Sequence, residues 1–210
     1  MKDQMNLLTA ANQARLDKQY EKARHLYLVY LRENDDDADV MHVLAQVTYE
    51  LALRKTEQMT VLLKEASDWM ERAIALRRDR PAFFVTSGNI LALGVDAPNY
   101  VEAANHYRTA LESNHFFYSA ASGLAFLAHV PESGVSYSEA IAGMEKVVEI
   151  QSDNQHAFMS LGYLYEKVGR CDDAQEVFKR AVLCSQPLEL RYLETLVTPR
   201  LVHISVEESA

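Results

Sequence analysis

The sequence predicts an all-α protein built from tandem helical hairpins, and two observations support that prediction. One helical pattern occurs five times: an alanine, a large side chain four residues later and a third packing residue three positions further. The copies are Ala23-Tyr27-Tyr30, Ala66-Met70-Ala73, Ala103-Tyr107-Ala110, Ala140-Met144-Val147 and Ala174-Phe178-Ala181. Their leading alanines are 43, 37, 37 and 34 residues apart, a period typical of stacked helical repeats. The second observation is a pair of capping boxes, Asn99-x-x-Glu102 and Ser136-x-x-Glu139, each placed where the second helix of a hairpin should begin.

The C-terminal copy matches a known repeat signature most closely. Its residues are spaced on two helical faces and are followed by a proline: Phe158, Leu161, Gly162, Tyr165, Ala174, Phe178, Ala181 and Pro187. This resembles the tetratricopeptide repeat, whose signature runs W-x2-L-G-x2-Y, then A-x3-F, then P. Here Phe158 stands in place of the tryptophan, and Pro187 lies about one residue late. The resemblance covers about residues 4 to 188 and implies a right-handed α-solenoid of helix-turn-helix hairpins.

We expect a single superhelical domain over residues 1–197. Its five hairpins should span about residues 4–37, 38–80, 81–117, 118–154 and 155–188. A capping helix at about 188–197, apolar at Leu190, Leu193 and Leu196, would cover the exposed face of the last hairpin, as solenoids require. Residues 198–210 would form a C-terminal tail, which is a packed extension, a disordered segment or the lead into a further domain.

Hairpins one and two are joined by an acidic run, from Glu33 to Asp39. Asp37 or Asp39 would cap the next helix or favourably charge its N-terminus, and the run lacks the glycine and distal glutamate of a calcium loop. Hairpin two also carries nine extra residues, from about Arg54 to Lys64. Because this segment lacks Gly and Pro, we expect two longer helices joined by a short turn. A protruding docking element is the alternative.

Hairpin five shows how the helices should pack. Gly162 and Ala174 are small where the two helices of the hairpin approach closely. Phe158, Tyr165 and Phe178 are large and should fill the gaps between neighbouring hairpins.

Charge and hydropathy restrict the classes of partner and the compartment. The formal net charge of −9 disfavours binding to nucleic acid. No apolar run approaches the roughly 18 residues of a membrane helix, and residues 1–9 lack the apolar stretch of a signal peptide. Cys171 and Cys184 form no CxxC motif and are expected to be reduced. We therefore predict a cytoplasmic protein that does not insert into membranes.

Catalytic and metal-binding motifs are missing from the sequence. It contains no phosphate-cradling glycine loop, HExxH, CxxC or GxSxG, and no two of its seven histidines lie three or four residues apart. We predict that the protein is not an enzyme and that it needs no cofactor or metal ion.

In this repeat class, the first helix of each hairpin lines the concave surface of the superhelix. Counting i, i+3, i+7 and i+10 along each first helix gives the predicted partner-binding residues Asn12, Arg15, His42, Gln46, Tyr49, Asn89, Phe126, His129, His156, Met159 and Tyr163. Asn12, Gln46 and Asn89 could hydrogen-bond a peptide backbone. Phe126, Met159 and Tyr163 could form an apolar anchor pocket. The groove positions contain no lysine, so a chaperone tail that ends in a carboxylate is disfavoured as the ligand.

The predicted function is a non-catalytic adaptor or scaffold that binds a peptide or helix of a partner protein in this groove. Two alternatives stay open. The chain could be the recognition domain of a larger protein-modifying enzyme, such as a glycosyltransferase. It could also be a self-assembling scaffold, in which the C-terminal helix of one copy docks into the groove of the next. Fold analogy alone does not name the partner.

Overall fold

A computed structural model of the chain describes residues 2–112 and 118–184. Within these ranges the chain forms ten α-helices and no β-strand, so the all-α prediction is confirmed. The chain divides into two compact units, Met1–His115 and Phe116–Ala210, which we call unit one and unit two. The predicted capping helix at about 188–197 and the tail that follows it lie outside the described residues.

The helices pack as antiparallel hairpins in chain order within each unit. Unit one contains α1 (Lys2–Leu16) with α2 (Tyr20–Leu31), α3 (Ala38–Arg54) with α4 (Met59–Leu76), and α5 (Pro81–Leu93) with α6 (Tyr100–Leu111). Unit two contains α7 (Tyr118–Leu127) with α8 (Tyr137–Ile150), and α9 (Gln155–Lys167) with α10 (Cys171–Leu183). In the described part of the chain, none of these helices combines the length and the apolar character that crossing a membrane requires.

Close approach of the paired helices depends on a small residue opposite a large one. A Cβ atom built on Gly162 would lie 2.3 Å from Cε1 of Phe178, and one built on Gly88 would lie 2.6 Å from Cε1 of Tyr107. Neither aromatic ring could keep its position if these glycines were replaced by alanine. The prediction that Gly162 is small because two helices meet there is therefore confirmed.

Three polar side chains start helices as the sequence predicts. Asp37 accepts a hydrogen bond from the backbone N–H of Val40 at 3.0 Å and so caps α3. Asn99 caps α6 through the N–H of Glu102 at 3.2 Å, and Ser136 caps α8 through the N–H of Glu139 at 3.1 Å. Each cap satisfies a backbone donor that the first turn of a helix leaves without an internal partner.

The extra residues of hairpin two lengthen both of its helices, as predicted. A short 3-10 turn, Thr56–Gln58, joins them. The lengthened ends share a small apolar cluster of their own, formed by Leu51, Ala52, Leu62 and Leu63. Contacts to α2 hold the extension in place: Lys55 forms an ion pair with Glu21 at 2.8 Å, and the Arg54 guanidinium lies 4.5 Å from the centre of the Tyr20 ring.

The acidic run from Glu33 to Asp39, at the start of α3, is partly neutralised by arginines from the loop between α4 and α5. One carboxylate oxygen of Asp39 lies 3.1 Å from Arg77 and 3.0 Å from Arg80. These pairs are exposed, so each contributes little stability by itself. Together with the Asp37 cap, they give the acidic run a structural role within unit one.

Candidate functional site

The first helices of the five hairpins have one equivalent position, which directly follows an alanine or a glycine. We call it the shared position. The residues at this position are Asn12, Gln46, Asn89, Phe126 and Tyr163. The corresponding large residues of the second helices are buried, and they are Tyr27, Met70, Tyr107, Met144 and Phe178. The shared position therefore carries amides throughout unit one and aromatic rings throughout unit two.

Two of the amides in unit one are held by a tyrosine of the second helix. The Tyr27 hydroxyl donates to Oδ1 of Asn12 and the Tyr107 hydroxyl donates to Oδ1 of Asn89, both at 2.7 Å. Burial raises the pKa of both phenols, which keeps them protonated and able to donate. Because each amide oxygen is engaged, the NH2 group of the same side chain is left to donate to a ligand.

A cleft of about 300 Å³ opens among the first helices of unit one. Its lining residues are mostly polar and are Arg15, Tyr20, Gln46, Val47, Tyr49, Glu50, Thr86 and Asn89. The structure thus brings together four predicted site residues, Arg15, Gln46, Tyr49 and Asn89, from three helices. Asn12 is not among the lining residues, although its amide oxygen is held by a tyrosine in the same way as that of Asn89.

His42 is bound within unit one and does not line the cleft. Its Nε2 lies 2.8 Å from the hydroxyl of Thr86, a buried side chain that also accepts a hydrogen bond from Gln46 at 3.4 Å. The His42 ring packs on Phe83, with centroids 4.8 Å apart. Burial lowers the pKa of His42 to about 4 against an opposing effect of Asp39, so the ring is neutral at physiological pH. His42 therefore acts as a packing residue here.

The first helices of unit two enclose a smaller pocket of about 190 Å³. It is lined by Ser122, Ala125, Phe126, His129, Ser160, Tyr163 and Leu164. Phe126 is 59% exposed, and the Tyr163 ring meets Phe178 edge-on with centroids 5.5 Å apart. Aromatic rings that are fixed at one edge and open at the other can anchor an apolar side chain of a partner.

His129 at the edge of this pocket is positioned by Tyr137. The Tyr137 hydroxyl lies 2.9 Å from Nδ1 of His129, and the two rings meet edge-on with centroids 5.2 Å apart. The imidazole is therefore held at the pocket rather than free to turn in solvent.

Two predicted site residues of unit two do not line the pocket. Met159 is only 8% exposed and packs in the interior, so the predicted anchor of Phe126, Met159 and Tyr163 is corrected to Phe126 and Tyr163. The error arose from the register, because this position of α9 faces the interior of the unit. His156 is exposed near the start of α9 and stands apart from the lining residues.

Sequence reasoning missed several residues that build these sites. Tyr20 begins a second helix and still lines the cleft of unit one, while Thr86 is the buried hydroxyl to which two first-helix side chains bond. A signal for the phenol–amide pairs was present in the sequence. The two hairpins whose second helix carries tyrosine at the large position are the two that carry asparagine on the first helix.

Among the described residues, no group of three or more histidine, cysteine or acidic side chains converges as metal ligands would. The polar and aromatic side chains that line the two sites are mainly amides, hydroxyls and aromatic rings, with Arg15 and Glu50 in unit one and His129 in unit two. They can bind a ligand by hydrogen bonds and apolar contact.

The comparisons with known proteins show a fold but no sequence relative. No protein-family model matches the chain, and no curated protein matches its sequence. Among solved structures, the chain is similar to PilW, a type IV pilus biogenesis factor, at 15% identity and a TM-score of 0.71 over 99% of this chain and 90% of that one. It is also similar to TTC0263, a TPR protein of Thermus thermophilus, at 17% identity and a TM-score of 0.67 over 95% and 99% of the two chains.

A third similar structure is YrrB, a TPR protein with an unusual peptide-binding site. It matches at 20% identity and a TM-score of 0.58, over 88% of this chain and 87% of that one. At such identities these likenesses establish the fold alone. The chain therefore has the tetratricopeptide-like fold that the repeat signature indicates.

Proposed function

We propose, on the premise of this tetratricopeptide-like fold, that the protein is a non-catalytic adaptor that binds a segment of a partner protein on its first helices. The observation that supports the proposal most is the shared position on those helices. In unit one it presents amides, two of which have their oxygens already bonded, and in unit two it presents aromatic rings beside an open pocket.

The two kinds of side chain suit two kinds of peptide group. An asparagine NH2 group held in place by Tyr107 can donate to a backbone carbonyl without first losing conformational freedom, which favours binding of an extended chain. Phe126 and Tyr163 can receive an apolar side chain, and aromatic residues of this kind commonly supply most of the energy of an interface. The peptide-binding site of YrrB, a protein of similar fold, is consistent with this proposal.

The experiment uses short randomised peptide pools, each of which has one fixed central residue. The full chain should bind pools with a fixed leucine or phenylalanine more tightly than a pool with a fixed glycine. The double variant Phe126→Ala with Tyr163→Ala should lose that preference. Biolayer interferometry with immobilised pools measures both.

A matched control truncates two exposed apolar residues of second helices, Val101→Ala with Ile150→Ala, and these residues are 53% and 59% exposed. This variant should bind the pools like the unmodified chain. The proposal fails if no pool binds the unmodified chain, or if the control variant loses as much binding as the Phe126 and Tyr163 variant.

A further inference from the structure

The pocket of unit two combines its aromatic rings with two hydroxyl groups that the fold does not use. Ser122 of α7 and Ser160 of α9 both line the pocket and are partly buried. Within residues 2–112 and 118–184, neither hydroxyl has a hydrogen-bond partner. The hydroxyl of Thr48 in unit one behaves differently, because it donates to the carbonyl of Leu44 in its own helix at 2.8 Å. The two serine hydroxyls are therefore available to a ligand.

The two serines lie towards the same end of the pocket. Ser122 precedes Phe126 by four residues and Ser160 precedes Tyr163 by three, so each hydroxyl lies about one helical turn before an aromatic ring on the same face of its helix. Successive helices of unit two reverse direction, so α7 and α9, which contact each other, run parallel. The two hydroxyls therefore flank the same edge of the aromatic pair, and His129, three residues after Phe126, lies at the opposite end.

The lining of this pocket favours a neutral ligand group. Among the described residues that form it, none carries a carboxylate, an ammonium or a guanidinium group. A charged side chain of a partner would thus leave water without meeting an opposite charge, which is unfavourable. A serine hydroxyl both donates and accepts hydrogen bonds, as the hydroxyl of a ligand does. The pair of serines therefore suits a hydroxyl group.

The rings of Phe126 and Tyr163 favour an aromatic ligand group. Phe126 is 59% exposed and Tyr163 is fixed edge-on against Phe178, and rings that pack together gain stabilisation beyond the burial of their area. The pocket volume of about 190 Å³ suits one side chain, since clefts for whole small-molecule ligands measure about 300–1,000 Å³. The site thus combines what an aromatic ring with a hydroxyl at its tip requires.

We propose that the pocket of unit two binds a tyrosine side chain of the partner segment, with its ring against the aromatic pair and its hydroxyl between Ser122 and Ser160. Tyrosine is the one standard residue that combines an aromatic ring with a hydroxyl at its tip. The two serines then determine specificity, because a phenylalanine ring would cover their hydroxyls and leave them without partners. The inference rests on the proposed function and names the side chain that the partner presents to unit two.

The test compares peptide pools that differ only in their fixed central residue. The unmodified chain should bind the tyrosine pool about tenfold more tightly than the phenylalanine pool, because only tyrosine gives the covered serine hydroxyls a partner. A pool with fixed 4-methylphenylalanine carries a methyl group in place of the hydroxyl and should bind no more tightly than the phenylalanine pool. If it bound as tightly as the tyrosine pool, the pocket would select the length of the ring and the inference would be overturned.

Two double variants assign the preference to the pocket serines. Ser122→Ala with Ser160→Ala should reduce the preference for tyrosine to about twofold or less. This variant should bind the phenylalanine pool at least as tightly as the unmodified chain does, a result that loss of folding could not produce. The matched control, Ser138→Ala with Ser152→Ala, removes two exposed hydroxyls of unit two outside the pocket and should keep the full preference.

The outcomes separate this inference from the proposed function. If the leucine and phenylalanine pools bind more tightly than the glycine pool, and the tyrosine pool binds no more tightly than they do, the inference is overturned and the adaptor function stands. The same holds if the double variant of the pocket serines keeps the preference for tyrosine, or if the control variant loses it. If no pool binds the unmodified chain, the proposed function fails and the inference fails with it.

Discussion

Unit one and unit two use the same helical framework but present different chemistry at the same position of their first helices. In unit one that position carries Asn12 and Asn89, each bonded to a buried tyrosine. In unit two it carries Phe126 and Tyr163, and the second helices there bury Met144 and Phe178. A phenol in the core can hold a polar side chain at the surface in one orientation. In hairpin two the core residue is Met70, and Gln46 at the shared position bonds instead to Thr86. The second helix thus influences how firmly the first helix holds its amides.

The largest expected effect comes from a contact that occurs within each unit, between a glycine of a first helix and an aromatic ring of the second helix. Gly162→Ala would place a methyl group against the buried Phe178 ring, and Gly88→Ala would do the same against Tyr107. We expect each substitution to lower the free energy of unfolding by about 3 kcal/mol. Urea denaturation followed by circular dichroism measures this loss in both units.

Gly143→Ala is the matched control for these two variants. Gly143 lies within α8, and nothing lies within 4 Å of a Cβ atom built there. Replacement of a helical glycine by alanine without a clash should raise stability by about 0.5–1 kcal/mol. If all three variants behaved alike, the close contact of small and large residues would not be what limits the spacing of the helices.

Acid should destabilise unit one through His42. Its folded-state pKa is about 4 against an ordinary value of 6.5, so between these values the unfolded chain binds a proton that the folded chain does not. The contribution of neutral His42 to the free energy of unfolding is therefore fully present above pH 6.5 and is lost as the pH falls towards about 4, by about 3 kcal/mol.

Denaturation curves at a series of pH values test this, with His42→Gln as the comparison. His106 contributes in the same direction, because burial lowers its pKa against the opposing charge of Glu102. The single variant should thus weaken the pH dependence, and a double variant should weaken it further. If His42→Gln leaves the slope of the free energy of unfolding against pH unchanged, the histidine is solvated in the folded protein.

A smaller effect is expected from the phenol–amide pair itself. Tyr107→Phe removes the hydroxyl that donates to Asn89 and leaves a core ring of the same shape. We expect a loss of about 1 kcal/mol in stability and weaker binding of every peptide pool, because the amide is no longer held in one orientation.

Tyr100→Phe provides the control for this variant, since Tyr100 opens the same helix α6 without a place in the cleft. It should leave both stability and binding unchanged. Equal losses in the two variants would mean that the hydroxyl of Tyr107 has no special role.

The smallest effect on stability is expected at the aromatic pocket of unit two. Phe126 is mostly exposed, so Phe126→Ala should change the free energy of unfolding by less than about 0.5 kcal/mol. Binding of the leucine and phenylalanine pools should nevertheless fall. A large loss of stability would instead place Phe126 in the core and contradict its assignment to the pocket.

Periodicity was sufficient to predict the hairpins, since the alanine–large residue pattern records which faces of the second helices are buried. The capping boxes and the lengthened hairpin two were also predictable, because caps and the lack of Gly and Pro act locally. The sites were only partly predictable. Met159 turned inward because small differences in helix rotation decide which side chains face a neighbour. Thr86 depends on contacts between hairpins, which one helical face does not reveal.

The most direct test of the central claim, that the first helices bind the partner segment, is nuclear magnetic resonance of side-chain amides during titration with the tightest-binding peptide. We predict that the NH2 signals of Asn89 and Gln46 shift as the peptide binds. The signal of Asn105, which is exposed on the second helix α6, should stay in place. Movement of the Asn105 signal without movement of those of Asn89 and Gln46 would contradict the account, because the ligand would then lie on the second helices.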